Sequence, residues 1–207
     1  MEDVLDLYEQ PYDPKQPVVC FDEKPVQLLA ETRVPRPAAP GRPRRYDFEY
    51  ERKGTANIFA AVEPLGGWRH ISVTQQRTKL DFAAQMKELV DVHYPQADRI
   101  RLVLDNLNTH KPASLYEAFP AAEARRILRH LEFHHTPKHG SWLNMAEIEL
   151  SVLSRQCLQR RIADRDTLTA EVGAWQRRRN QNGTTTKWRF TVDDARRRLP
   201  HLYPETL

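Results

Sequence analysis

Three acidic residues stand where apolar segments end or begin. Asp22 follows the run Val18-Val19-Cys20-Phe21, and Asp105 follows Ile100-Arg101-Leu102-Val103-Leu104. Glu147 stands three residues after Asn144, at the head of a segment whose apolar residues recur at helical spacing. Strand ends along one sheet edge are where α/β proteins assemble sites, because the backbone is rigid and the loops beyond leave the side chain open. Three gathered carboxylates repel one another and raise each other's pKa unless cations lie between them. Ligands that are all oxygen select magnesium or manganese over zinc. Two such ions about 4 Å apart suit in-line displacement at a phosphodiester. The expected cofactor is therefore Mg2+ or Mn2+, as two ions, held by Asp22, Asp105 and Glu147.

Each acid also has a plainer role. An aspartate after a strand commonly caps it or opens a turn, and Asn144-x-x-Glu147 has the form of a helix capping box. Asp105 leads into Asn106-Leu107-Asn108-Thr109-His110, a polar run with little hydrophobic cover, which suits a site. Glu149 rivals Glu147 but lies about 200° around the helix. Ala146, Leu150, Leu153 and Cys157 form the stripe expected to pack on the core, leaving Glu147 to share a face with Leu143, Ser151 and Ser154.

His110, His134, His135 and His139 fall in or beside candidate loops, and zinc is one reading of them. No cysteine joins them, however, and their spacing matches no familiar metal motif. The other reading has His110 and His139 order the loops or contact DNA phosphate, with Lys111 and Lys138 neutralising phosphates nearby. Asn106, His110 and Asn144 are then supporting residues. From Arg155 to Arg189 there are nine Arg or Lys against three acids, including Arg177-Arg178-Arg179. A helix with Leu168, Val172 and Trp175 on its apolar side could offer those arginines to DNA; a solvated basic face is the alternative.

The elements that must position these groups follow from periodicity. Val18–Phe21, Asn57–Val62, Trp68–Thr74, Ile100–Leu104 and Phe133–Thr136 read as strands, with a turn at Pro64-Leu65-Gly66-Gly67. Tyr46, Phe48 and Tyr50 alternate with acids as a further strand would. Helical spacing covers Leu80 to Val90, Ser114 to Leu131, Met145 to about Gln159, and Thr167 to about Arg179. Thr191-Val192-Asp193-Asp194 predicts a last short helix behind a capping box. Residues 1–16 read as a lead-in. Arg33–Arg45, with five arginines, four prolines and no acid, reads as an extended basic loop. Strands followed by alternating helices and strands make an α/β fold with a mixed sheet flanked by helices.

The 207 residues are 40% hydrophobic, enough for one large domain, and a net charge of +4 suits a nucleic-acid partner without requiring one. Only Cys20 and Cys157 are cysteines, both in apolar contexts, which argues against a disulfide framework or a cysteine-based zinc site. No apolar stretch approaches the roughly 18 residues of a membrane span, and MEDVLDLYEQ is no signal peptide, so a cytoplasmic, DNA-associated location is expected.

Two segments carry a specific resemblance. Val103-Leu104-Asp105-Asn106-Leu107-Asn108-Thr109-His110, and His135-Thr136-Pro137-Lys138-His139-Gly140-Ser141-Trp142-Leu143-Asn144-Met145-Ala146-Glu147-Ile148-Glu149, closely resemble bacterial insertion-sequence transposases of the mariner-like DDE superfamily. Agreement extends through Tyr50–Asn57, Arg155-Gln156-Cys157, Trp188–Thr191 and Asp194-Ala195-Arg196, so it covers nearly the whole chain from Pro17. The resemblance implies an RNase H-like fold with a five-stranded mixed sheet and divalent-metal dependence. It also implies cleavage at transposon ends and transfer of the freed 3′-hydroxyl into target DNA, by a homodimer on double-stranded DNA. The family's three acids fall on Asp22, Asp105 and Glu147. The interval from Asp105 to Glu147, 42 positions, is longer than in many mariner-like relatives. Such transposases also carry an N-terminal helix-turn-helix reader, for which about 17 residues before the first catalytic strand leave no room. A catalytically silent DNA-binding or oligomerising regulator is the competing reading.

Overall fold

Alternation along one strand decides which face of the sheet each residue serves. In the computed structural model, which describes residues 1–45 and 47–203, Val19 and Phe21 turn to one face and Cys20 to the other. That strand, β1 (Val18–Glu31), pairs antiparallel with β2 (Tyr50–Glu63), and β2 pairs antiparallel with β3 (Trp68–Thr74). On its other side β1 pairs in parallel with β4 (Ile100–Leu104), and β4 in parallel with β5 (Leu131–His135). The order β3-β2-β1-β4-β5 is the mixed five-stranded sheet expected.

One face is covered by α2 (Lys79–Glu88), α3 (Ala113–Ala118) and α4 (Ala121–Arg129). Phe82, Met86, Leu115, Ala124 and Ile127 pack there on Val19, Phe21, Phe59, Ala61, Leu102 and Leu104. On the opposite face, α5 (Met145–Gln156) and α6 (Arg165–Gln181) bring Leu150, Leu153, Leu168, Val172 and Trp175 against Ile58, Ala60 and Ile71. Two helices of the chain's ends, α1 (Glu2–Glu9) and α7 (Val192–Arg198), close the same face near Cys20, Val62 and Val103.

Several expectations need correction. The lead-in contains α1, whose Val4, Leu5 and Leu7 are buried. The strand bearing Asp22 does not end there but runs on to Glu31, because β2 remains beside it as a partner. A bulge between Leu28 and Leu29 lies opposite Gly54, whose φ of 111° only glycine adopts readily. Of the alternation at Tyr46, Phe48 and Tyr50, Phe48 lies outside the strands and β2 begins at Tyr50, while Tyr46 lies outside the described residues. Helix Ser114–Leu131 is two helices broken at Phe119-Pro120, since a residue before proline prefers extended backbone and Phe119 adopts it at φ −129°, ψ 156°. The last helix behind Thr191 has its capping box as expected. In the basic loop, Arg36 bridges to Arg45 and Ala39 to Arg42, forming a short exposed arm.

Candidate active site

The parallel pairing of β1 and β4 runs Val18–Cys20 against Arg101–Val103. Two places further along the same register, Asp22 stands level with Asp105. Alternation turns both towards the face of Cys20 and Val103, where α5 packs. Asp22 is therefore a mid-strand residue just beyond the end of the parallel ladder, while Asp105 begins the loop after β4.

Asn144 sets the third acid. Its Oδ1 accepts from the Ala146 N–H at 3.1 Å, capping α5, and its Nδ2 donates to the Phe21 carbonyl at 2.8 Å. One buried side chain thus ties the first turn of α5 to the strand residue preceding Asp22. The cap is complete without Glu147, whose side chain is exposed and makes no hydrogen bond back to Asn144. The capping-box role is not taken up, which leaves Glu147 free for another. Asn144→Ala orphans a buried carbonyl and an N–H, a cost of about 1–3 kcal/mol, measurable by urea unfolding. Activity should fall further than stability, because a displacement of about 1 Å can cost on the order of 10²-fold.

Asp22 and Glu147 line one open groove of about 400 Å³ with Glu23, Lys24, Leu150, Ser151, Ser154 and Arg155. Burial, then the negative charges of Glu23, Glu147 and Asp105, push the Asp22 carboxyl up to about 7. These are carboxylates near enough to oppose one another's ionisation. Their oxygens are not all within 4.8 Å of each other, the spacing that among the described residues only His70, Glu88 and His93 meet. Glu147 is the exposed member, on a first turn whose Met145 and Ala146 are buried. An all-oxygen set in which burial and neighbouring negative charge both disfavour the ionised Asp22 fits hard divalent cations.

His110 is a supporting residue of a definite kind. It is 1% exposed, with Nδ1 2.6 Å from Asp105 Oδ1 and Nε2 3.0 Å from Glu23 Oε2. Burial opposes its charged form, but the Asp105 carboxylate hydrogen-bonded at Nδ1 and the Glu23 carboxylate facing Nε2 outweigh that and raise its pKa to about 9. An imidazolium between two carboxylates fixes Asp105 from behind, and a buried ring cannot reach DNA phosphate. The other three candidate histidines do not gather with it. His134 meets Asp3 and Glu132, His135 Nδ1 lies 3.3 Å from the Asp105 carbonyl, and His139 is exposed at φ 63°. A zinc site built from His110, His134, His135 and His139 is excluded, because neighbours on a strand point to opposite faces.

Asn106, Lys111 and Lys138 are exposed around these loops. Arg177 and Arg178 are exposed on α6. Arg179 is not available to DNA: its Nε and Nη2 hold Glu149 at 2.9 and 2.8 Å. Glu149 itself is 3% exposed and stands 3.1 Å from Arg69 Nε, a residue 1% exposed. That buried role removes Glu149 as a rival to Glu147. Sequence reasoning overlooked Glu23 and Lys24, although their place directly after Asp22 signals proximity. From the acids, the groove continues along Lys24, Ser154 and Arg155 to Arg160, and Arg160 borders a further hollow with Arg44 and Arg178.

Carboxylates that oppose one another's ionisation, in a groove that continues along Lys24, Arg155 and Arg160, make a donor set of the kind hard divalent cations take. The chain belongs to the DDE superfamily endonucleases, whose family model matches residues 17–169. Among solved structures it is similar to the Mos1 mariner paired end complex with Mn, at a TM-score of 0.56 and 14% identity over 87% of this chain and 55% of that one. The Mos1 strand transfer complex matches at a TM-score of 0.55 and 14% identity, over 87% and 54%. The likeness is one of fold: the mixed sheet flanked by helices is RNase H-like. The chain spans little more than half the length of these Mos1 chains. A comparison with curated proteins gives no match.

Proposed function

We propose that this chain is a transposase catalytic core that cleaves DNA phosphodiesters at transposon ends and transfers the 3′-hydroxyl into target DNA. The observation that carries the reading is that Asp22 and Asp105 each follow the parallel pairing of Cys20 with Val103 by two residues, beside a groove that Asp22 shares with Glu147. Membership of the DDE endonuclease family supports the reaction class.

Asp22, Asp105 and Glu147 hold two magnesium or manganese ions, which supply activation of the attacking oxygen and charge neutralisation at the leaving one. Asp105 keeps its orientation through His110. Asn144 fixes the turn from which Glu147 reaches the groove. Lys24, Arg155, Arg160 and Arg178, with Lys111, Lys138, His139 and Arg177 on the surrounding surface, neutralise backbone phosphates and position the duplex. A homodimer on two DNA ends is the assembly such a reaction needs, because both ends must be cut and joined together. No helix among the described residues is long and apolar enough to cross a membrane.

The test is plasmid nicking with Mg2+ or Mn2+, followed by strand transfer of a pre-cut end. Metal-dependent nicking of duplex DNA is expected. DNA binding with no nicking in either ion would leave a silent DNA-binding regulator. Preference for RNA–DNA hybrids would indicate a ribonuclease instead.

A further inference from the structure

A second group of ligand atoms gathers on the sheet face opposite Asp22. His70 on β3 pairs with Ala61, which pairs with Phe21, so its side chain belongs to the face that α2 covers. Glu88 is the last residue of α2 and His93 the last of a π-helical turn, Leu89–His93. The π turn matters here. In an α-helix, residues five apart point away from each other, whereas a π turn closes on an i→i+5 bond, seen as Tyr94 N–H to the Leu89 carbonyl at 2.9 Å. Its wider winding brings His93 round to the side of Glu88.

Glu88 Oε1 lies 3.3 Å from His70 Nε2 and 3.5 Å from His93 Nε2. One ligand atom from each of the three residues lies within 4.8 Å of the other two. Ligand atoms on a tetrahedral zinc, with bonds of about 2.0–2.1 Å, are about 3.3–3.4 Å apart. Two edges of the triangle already have that length. Both Nε2 atoms are buried and neither makes a hydrogen bond, so the short distances to Glu88 are approaches without hydrogen-bond geometry. Two orphaned imidazole nitrogens in one place are a cost that folding normally avoids. A shared ion removes it.

We infer that His70, Glu88 and His93 form a zinc site, separate from the carboxylate groove, which clips edge strand β3 to the end of α2. The donors choose the ion: two imidazoles and one carboxylate suit zinc, whereas magnesium prefers oxygen alone. The fourth position is left to water. Trp68, with its ring centroid 4.9 Å from that of His93, and Tyr94 shield one side.

The experiment is equilibrium dialysis of chelator-stripped protein against Zn2+ in excess Mg2+, with metal analysis. One zinc per chain is expected in the wild type and in the Asp22→Asn/Asp105→Asn double variant. It should be lost in His70→Gln/His93→Gln. Glu88→Gln, a near-isosteric change on a partly exposed residue, should weaken binding by at least the roughly 10- to 100-fold that even outer-sphere partners carry. Co2+ added to the Asp22→Asn/Asp105→Asn protein should give the visible absorption of a low-symmetry site. Absence of zinc from the wild type, or equal zinc in the histidine variant or equally tight zinc in Glu88→Gln, overturns the assignment.

Discussion

Asp105→Asn is expected to lower metal-dependent nicking by about 10³-fold or more while leaving DNA binding intact, the scale set by losing one preorganised charge in a phosphoryl-transfer site. The substitution is nearly isosteric, so fold loss does not confound it. An amide can still bond the His110 ring, but it cannot bring negative charge to a cation. The same reasoning applies to Asp22→Asn, with one difference. Asp22 is held near 7 by burial and by Glu23, Glu147 and Asp105. Neutralising it relieves repulsion and should not destabilise the metal-free protein. His110 offers the contrast of a positioning residue: His110→Ala should cost about 10- to 100-fold, as loss of an outer-sphere partner does. Nicking assays across a Mg2+ titration separate the cases. The His110 variant should be partly rescued by high metal, and Asp105→Asn should not. Equal nicking by Asp105→Asn and wild type would remove Asp105 from the mechanism.

The three acids stand out in the sequence because each lies at a change of pattern, and the parallel strand β4 is bounded as its apolar run predicts. What periodicity could not give was the length of β1. After Phe21 the strand loses its full cover, so its later residues no longer alternate by burial. The break at Phe119-Pro120 was legible from proline's effect on its predecessor and was passed over because the apolar spacing continued across it. On α2 the apolar residue at which the helical spacing opens, Leu80, is 56% exposed, and Phe82 fills the core. The histidines show the limit most plainly. His134 and His135 are adjacent in sequence yet part company on a strand. His70 and His93 are 23 positions apart and meet only because a π turn and an edge strand pack together. Nothing in local sequence announces a π turn.

Glu149→Ala is expected to cost about 3–5 kcal/mol, the penalty for leaving a buried charge uncompensated. Arg69 donates to the Gly67 and Thr184 carbonyls at 2.9 and 2.8 Å. Its positive charge answers to Glu149, which Arg179 also holds. For a domain of this size the loss corresponds to a fall in Tm of roughly 6–20 °C, readable by calorimetry. Glu147→Gln, two residues earlier on α5, should leave Tm unchanged and abolish nicking. The pair distinguishes anchoring from chemistry on one helix: about 200° of rotation separates a side that seats α5 on the sheet from a side that faces the groove. Because the anchor positions the groove, Glu149→Ala will also look inactive when assayed above its lowered Tm. Assayed well below it, the folded fraction should nick near the wild-type rate, while Glu147→Gln stays silent at every temperature. If both variants lost activity only on unfolding, Glu147 would be a surface residue at a helix start.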